Sequence, residues 1–286
     1  QKYVMQQIYL TKHTKFLITE EQINMNLELN NKIVLITGGS QGIGKATALS
    51  MVKEDAKTII CARDINELKN AQNEIKNLTN KTIDIHITDV TKIHQIENLF
   101  KIIIEKHGKI DVLINNAGRS AGDDFENVTD NQWQEDLELK LFAAIRSSRI
   151  AIKYMKKQNS GRIINVTNLG GKAPGYSSVP TSVSRSAGIA LTKALSKDSA
   201  KYNILVNTVC IGLIKSAQHE KRWIKDHENS NISLEEWYLE LGKDVPLKRV
   251  GESCEAADVI TFLASKRASY ISGVAINIDG GLSPVV

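Results

Sequence analysis

The stretch Asn31-Lys32-Ile33-Val34-Leu35-Ile36-Thr37-Gly38-Gly39-Ser40-Gln41-Gly42-Ile43-Gly44-Lys45-Ala46 runs from an aliphatic segment into a cluster of glycines and then into a helical pattern. It reads as a strand, a tight turn and a helix start. Glycine at Gly38, Gly42 and Gly44 opens backbone angles closed to other residues and lets a ligand or a neighbouring helix come close. The free N–H groups and dipole at the start of the following helix favour a phosphate there. Glycines alone are weak evidence. Directly after an aliphatic strand, in a chain that goes on to alternate strand and helix, they point to a nucleotide site.

That alternation extends outward from the turn. Apolar runs at 32–37, 57–61, 82–87, 110–115, 161–167, 203–209 and 274–278 read as strands. Helical patterns lie near 43–54, 65–78, 92–107, 130–157, 181–201 and 254–265. Most of the strands are continuously apolar, as Val112-Leu113-Ile114, which suits burial on both faces of a parallel sheet. Ile83-Asp84-Ile85-His86-Ile87 alternates instead and suits a sheet edge, the place its strand takes in the doubly wound order 3-2-1-4-5-6. The expected architecture is α/β, a doubly wound parallel sheet of Rossmann type, in a single domain over 29–286. Residues 1–28 read as an N-terminal extension, flexible rather than a targeting segment, with Met25 an alternative natural start.

Composition removes several classes of function. The chain has 286 residues, 42% of them hydrophobic, enough for a full core. No run approaches the ~20 apolar residues of a membrane span. The net charge of +5 is dispersed and aromatic residues make up only 5%, so no nucleic-acid surface is indicated. Cys61, Cys210 and Cys254 are odd in number and far apart, which suggests a reducing, cytoplasmic setting with neither a disulfide frame nor a metal site.

Several motifs in order give the chain a resemblance to the short-chain dehydrogenase/reductase family over roughly 29–286. The turn Thr37 to Gly44 is similar to that family's T-G-x-x-x-G-x-G. Asp89-Val90 is similar to its adenine-contacting pair, and Asn115-Asn116-Ala117-Gly118 to its N-N-A-G. The segment Ser272-Gly273 followed by Asn277-Ile278-Asp279-Gly280-Gly281 resembles its last strand and glycine exit. The resemblance implies a dinucleotide held by Gly38, Ser40, Gln41, Gly42, Ile43, Gly44, Asp89, Val90, Asn116, Ala117 and Gly118. Later in the chain Gly212 and Ile214 meet its carboxamide, with Ser216 in place of a threonine. The family's acidic ribose-binding position falls on Ala62, and Arg63 follows it. A guanidinium fork suits a 2′-phosphate, so NADP(H) is preferred, with NAD(H) possible.

At the catalytic positions the chain departs from the family. The Ser position falls on Asn168, the Tyr position on Thr181, the Lys position on Arg185 and the Asn position on Lys140. Asn168 can orient an oxygen but does not relay a proton as a hydroxyl does. Arg185 keeps the positive charge yet holds its proton too tightly to exchange it readily. Thr181 is the severe change, because its hydroxyl is far less acidic than a phenol and reaches less far. Lys140 is a gain: it shares a helical face with Trp133, Leu137 and Ala144. There it either snorkels, pairs with a carboxylate, or takes over the proton transfer of the missing tyrosine. Tyr176, in the loop after the fifth strand, is a second candidate acid, with Lys172 or Arg185 to lower its pKa; otherwise it only shapes the loop.

Residues 213–246 look like the family's substrate lid, with a helix starting after Ser233 and Trp223, Trp237 and Tyr238 either lining a pocket or packing the lid down. The resemblance implies a homo-oligomer, a dimer or tetramer. Two functions follow. One is an NADP(H)-dependent oxidoreductase acting on a carbonyl, alcohol or activated alkene with a rearranged proton relay. The other is a dinucleotide-binding protein of the same fold without hydride transfer, either a dehydratase or isomerase or a regulatory subunit.

Overall fold

A computed structural model describes residues 26–226 and 232–286. Seven parallel strands form the main sheet: β1 (Ile33–Thr37), β2 (Lys57–Ala62), β3 (Asp84–Ile87), β4 (Val112–Asn115), β6 (Gly161–Asn168), β8 (Ile204–Ile211) and β9 (Ala275–Ile278). Their order is β3-β2-β1-β4-β6-β8-β9, the expected winding with one strand added at the far edge. The strand that alternates in sequence, β3, is the edge strand and only half buried.

Period-two geometry explains why the central strands are apolar throughout. In β1, Val34 and Ile36 face one core while Ile33 and Leu35 face the other, and β4 divides Ile114 and Leu113 in the same way. One core is covered by α1 (Gly42–Lys53), α2 (Ile65–Thr79) and α9 (Ser253–Ala264). The other is covered by α3 (Ile93–His107) and α5 (Ala143–Lys157). Each fully buried Leu or Ile contributes about 1.5–3 kcal/mol.

Four features depart from the sequence expectation. The helical pattern 130–157 is α4 (Asp130–Leu137), a π-helical turn (Glu138–Phe142) and then α5. An antiparallel ribbon of β5 (Gly122–Asp123) and β7 (Val179–Pro180) stands apart from the main sheet. The lid has two helices, α7 (Ala217–Asp226) as well as the expected α8 (Leu234–Gly242), which Ser233 and Glu236 open with a capping box. The folded body also begins before 29: Lys266 N–H donates to the Leu27 carbonyl, Arg267 Nε to the Asn26 carbonyl, and Lys266 pairs with Glu28. The rest of the expected extension, 1–25, and part of the polar stretch 226–231 in the lid lie outside the described residues. Among the described residues no helix is long and apolar enough to cross a membrane.

Candidate active site

The carboxyl ends of β1 and β4 meet at the glycine turn. Thr37 Oγ1 accepts the backbone N–H of both Asn116 and Ala117 at 3.1 Å. Asn116 Nδ2 donates back to the carbonyls of Thr37 and Gly38. Gly38 has φ +63°, and a Cβ on it would stand 2.8 Å from Ala117 Cα. A Cβ on Gly44 would stand 2.2 Å from the Gly38 carbonyl oxygen. Neither position tolerates a side chain, so the turn folds tightly under the start of α1 (Gly42–Lys53). Gln41 caps that helix without a side-chain hydrogen bond and its first turn holds no acidic residue, so its leading N–H groups are available to an anion. Ser40 and Gln41 are half buried around it and Ile43 is buried beneath. Gly42 faces Ser216 at the start of the lid, 3.7 Å from where its Cβ would be.

The cleft continues past the carboxyl ends of β2 and β3. Arg63 is exposed and forms no ion pair among the described residues, while neighbouring Asp64 turns away to cap α2, accepting from the N–H of Asn66 and Glu67. Burial works to raise the Asp89 carboxyl, but hydrogen bonds from the Thr91 amide and hydroxyl, with Arg63 and Lys92 nearby, leave it below its ordinary value. Val90 is buried beside it. On the opposite side Gly212 N–H donates to the Ile278 carbonyl, and Ile214 is buried, its backbone bridged to Gly251.

Beyond the turn lies a cluster of buried polar side chains. Lys140 lies in the π-helical turn; such turns often mark functional positions because one extra residue per turn rotates a side chain off the regular face. It does not snorkel. Its side chain is 1% exposed, as is that of Asp136, and the two form an ion pair one turn apart. Lys140 Nζ also donates to Thr181 Oγ1 at 2.7 Å. Thr181, the first residue of α6 (Thr181–Ser199), accepts a second bond there from Ala121 N–H at 3.0 Å. Its own O–H donates to nothing among the described residues. The single O–H of Ser184 is shared between the other oxygen of Asp136 at 2.6 Å and the Thr181 carbonyl at 3.0 Å. Burial pushes the Lys140 ammonium down to about 8; the Asp136 hydrogen bond opposes the fall, and Arg185 and Arg119 add to it.

Arg185 enters from the next turn of α6. Burial brings it down to about 10, with Asp136 opposing, and it donates from one guanidinium nitrogen to the Val166 carbonyl at 2.7 Å. Its second terminal nitrogen lies against Gly118, 2.9 Å from where a Cβ there would be, and its Nε has no partner. Lys140, Arg185, Asn115 and Asn165 line a cavity of about 20 Å³, room for one water molecule. At the end of β6, Asn168 carries a buried Oδ1 without a partner.

Tyr176 is not drawn into this arrangement. It is 103% exposed, and Lys172 points elsewhere, donating to the Ala275 carbonyl at 2.6 Å, so neither joins the cluster. The loop that carries them bends outward because Ser177 takes a left-handed backbone and bonds Asp124 at the base of the ribbon. The lid aromatics pack the lid together: Tyr238 is buried against His219 and Trp237, and burial lowers the His219 pKa. From α7, Gln218 accepts the Ser120 N–H and donates to the Gly118 carbonyl, tying the lid to the loop beside Arg185. Asp136 and Gln218 escaped the sequence reading. An Asp one turn before a lysine within an apolar stripe was the available signal for the first; nothing local marked the second.

Comparison with known proteins agrees with this architecture. The profile for the short chain dehydrogenase family matches residues 32–227. The 3-oxoacyl-[acyl-carrier-protein] reductase FabG of Thermotoga maritima is 34% identical over 258 residues, covering 90% of this chain and 99% of that protein. The structure of L-sorbose reductase from Gluconobacter frateurii, complexed with NADPH and L-sorbose, superposes with a TM-score of 0.88 at 27% identity, covering 92% of this chain and all of that one (100%). An NADPH-bound short chain oxidoreductase from Pseudomonas aeruginosa PAO1, described as containing an atypical catalytic center, superposes at 0.83 with 30% identity, covering 90% of this chain and 100% of that one. The chain belongs to the short chain dehydrogenase family, and its class is that of the family's oxidoreductases.

Proposed function

We propose that the protein is an NADP(H)-dependent reductase of a carbonyl compound in which Lys140 supplies the proton through the Thr181 hydroxyl. Three observations support the cofactor. The glycine turn has no room for side chains at Gly38 and Gly44, and the leading amides of α1 are uncapped. Arg63 is exposed while Asp64 is engaged as a helix cap. Two of the similar structures are NADPH complexes. The residues therefore fit a dinucleotide: Gly38 to Gly44 and Ser216 for its phosphates, Arg63 for a 2′-phosphate, Asp89 and Val90 for adenine, Asn116 to Gly118 with Arg185 for the nicotinamide ribose, and Gly212 with Ile214 for the carboxamide. Bound there, the cofactor supplies a hydride to the substrate carbon.

The observation that carries the proton route is the hydroxyl of Thr181. It accepts from Lys140 and from Ala121, so both acceptor directions are used and only its hydrogen is left to give. Thr181 then passes that hydrogen to the substrate oxygen while taking one from the Lys140 ammonium. Lys140, with its proton loosened toward working pH by burial, is reloaded from water through the small cavity it lines. Asn168 offers its side-chain N–H2 to the same oxygen, while its unpartnered Oδ1 is left to accept from a substrate or cofactor hydroxyl. In this reading Tyr176 has no part in the chemistry.

The test is Thr181→Val, which keeps the shape and deletes the hydroxyl, beside Lys140→Met, both assayed with NADPH across ketones, quinones and enones. Each should lose about a hundredfold or more in kcat while NADPH still binds. If the wild-type protein binds NADPH and turns over none of these classes, the non-redox reading takes its place. We also assign it to the cytoplasm and to a homo-oligomer acting on a small molecule. Its free Cys61, Cys210 and Cys254 and its family support that assignment, and sedimentation tests the oligomer.

A further inference from the structure

We propose that Asp136 is the positioning residue of the site, the carboxylate that keeps Lys140 protonated and aimed at the Thr181 hydroxyl. This rests on the reading of Lys140 as proton donor and assigns a group that the family's residues at this site do not include.

Asp136 touches both helices of the relay. Through one oxygen it holds Lys140, one turn further along its own helix; through the other it holds Ser184, which in turn bonds the carbonyl of Thr181. Thr181 and Lys140 are 41 residues apart in sequence, and Asp136 is bonded to a partner on each side of that gap. The carboxylate is thus a two-ended strut, and the distance it fixes is the one a proton must cross.

Charge leads to the same conclusion. The groups acting on Lys140 are Asp136 from α4, Arg185 from α6 and Arg119 from the loop after β4, and Asp136 is the one anion among them. Arg119 is itself engaged at the surface with Glu135. Remove Asp136 and a buried amine faces two guanidinium groups with nothing to favour its charged form. A purely structural ion pair would behave differently, because two fully buried partners can be exchanged for apolar side chains without loss of fold.

The experiment uses the full-length protein with lysine labelled at Cε and Nζ, Lys140 assigned by its loss in Lys140→Met, and its titration followed by NMR beside the pH profile of kcat. In Asp136→Asn the Lys140 midpoint should fall by about one pH unit or more, and the alkaline limb of kcat should move with it. The KM for substrate and the Kd for NADPH should stay close to wild type. An unmoved midpoint, or a kcat lowered equally at every pH, overturns the proposal. Asp136→Glu keeps the charge but adds a methylene to a buried site, so its fold is checked by melting; in the folded variant the Lys140 midpoint should stay in place while kcat drops about tenfold or more from the altered aim. Unchanged kcat in Asp136→Glu also overturns it. If no substrate turns over at all, Lys140 as donor fails, while the titration still decides whether Asp136 holds its proton.

Discussion

The glycine turn and the Lys140 cluster lie in one cleft but are made of different material. The turn is backbone: Gly38, Gly44 and the uncapped amides of α1, braced by Thr37 and Asn116. The cluster is mainly side chains: Asp136, Lys140, Thr181 and Ser184 are bonded across two helices with Arg185 beside them, and the backbone adds single groups such as the Ala121 amide. Backbone recognition depends on the absence of side chains and leaves few ways to vary. A side-chain cluster can exchange every member so long as the exchange preserves a proton path. The difference offers a reason for the pattern read from the sequence, where the nucleotide motifs resemble the family's while Asn168, Thr181, Arg185 and Lys140 fall on its expected catalytic positions.

The comparison can be broken in three places. The largest effect is expected at the turn. Gly44→Val puts a branched side chain where even a Cβ would lie 2.2 Å from a carbonyl oxygen, and it should leave no folded, NADPH-binding protein. A variant that melts like wild type would show that the turn has room to spare.

The second place is the cluster, where pH is the probe. A donor acts while it holds its proton, so with the Lys140 ammonium at about 8, turnover should be level below that pH and fall about tenfold per unit above it. A profile with no break between pH 7 and 9 would remove Lys140 from the rate-limiting proton step.

The smallest effect is expected at the rim of the nucleotide site. Arg63→Ala should weaken NADPH binding by about ten- to a hundredfold, the worth of hydrogen bonds to a charged group, and leave NADH binding unchanged. Equal losses for the two cofactors, measured by calorimetry, would mean that Arg63 does not read the 2′-phosphate.

What could be read in advance follows the same division. The seven parallel strands were legible because burial on both faces forces aliphatic runs, as in Ile33 to Ile36, and β3 was legible as an edge because it alternates. The turn was legible because its glycines sit at fixed spacing after a strand. The cluster was half legible. Lys140 stood out as a charge in an apolar stripe, but its partner Thr181 and the neighbouring Arg185 were found only through family positions, and Asp136 was missed because an acid one turn before a lysine reads as an ordinary surface pair. The β5–β7 ribbon was not legible at all: two residues a side are too short to carry a pattern, and their pairing joins segments far apart in sequence.

The spacing of Asp136 and Lys140 on a single helical segment bears on how the charges come to be buried. Partners one turn apart can meet as soon as that turn winds, in water, before any other element packs against it. The two charges then enter the interior already joined, and no step of assembly has to carry a bare ammonium out of solvent.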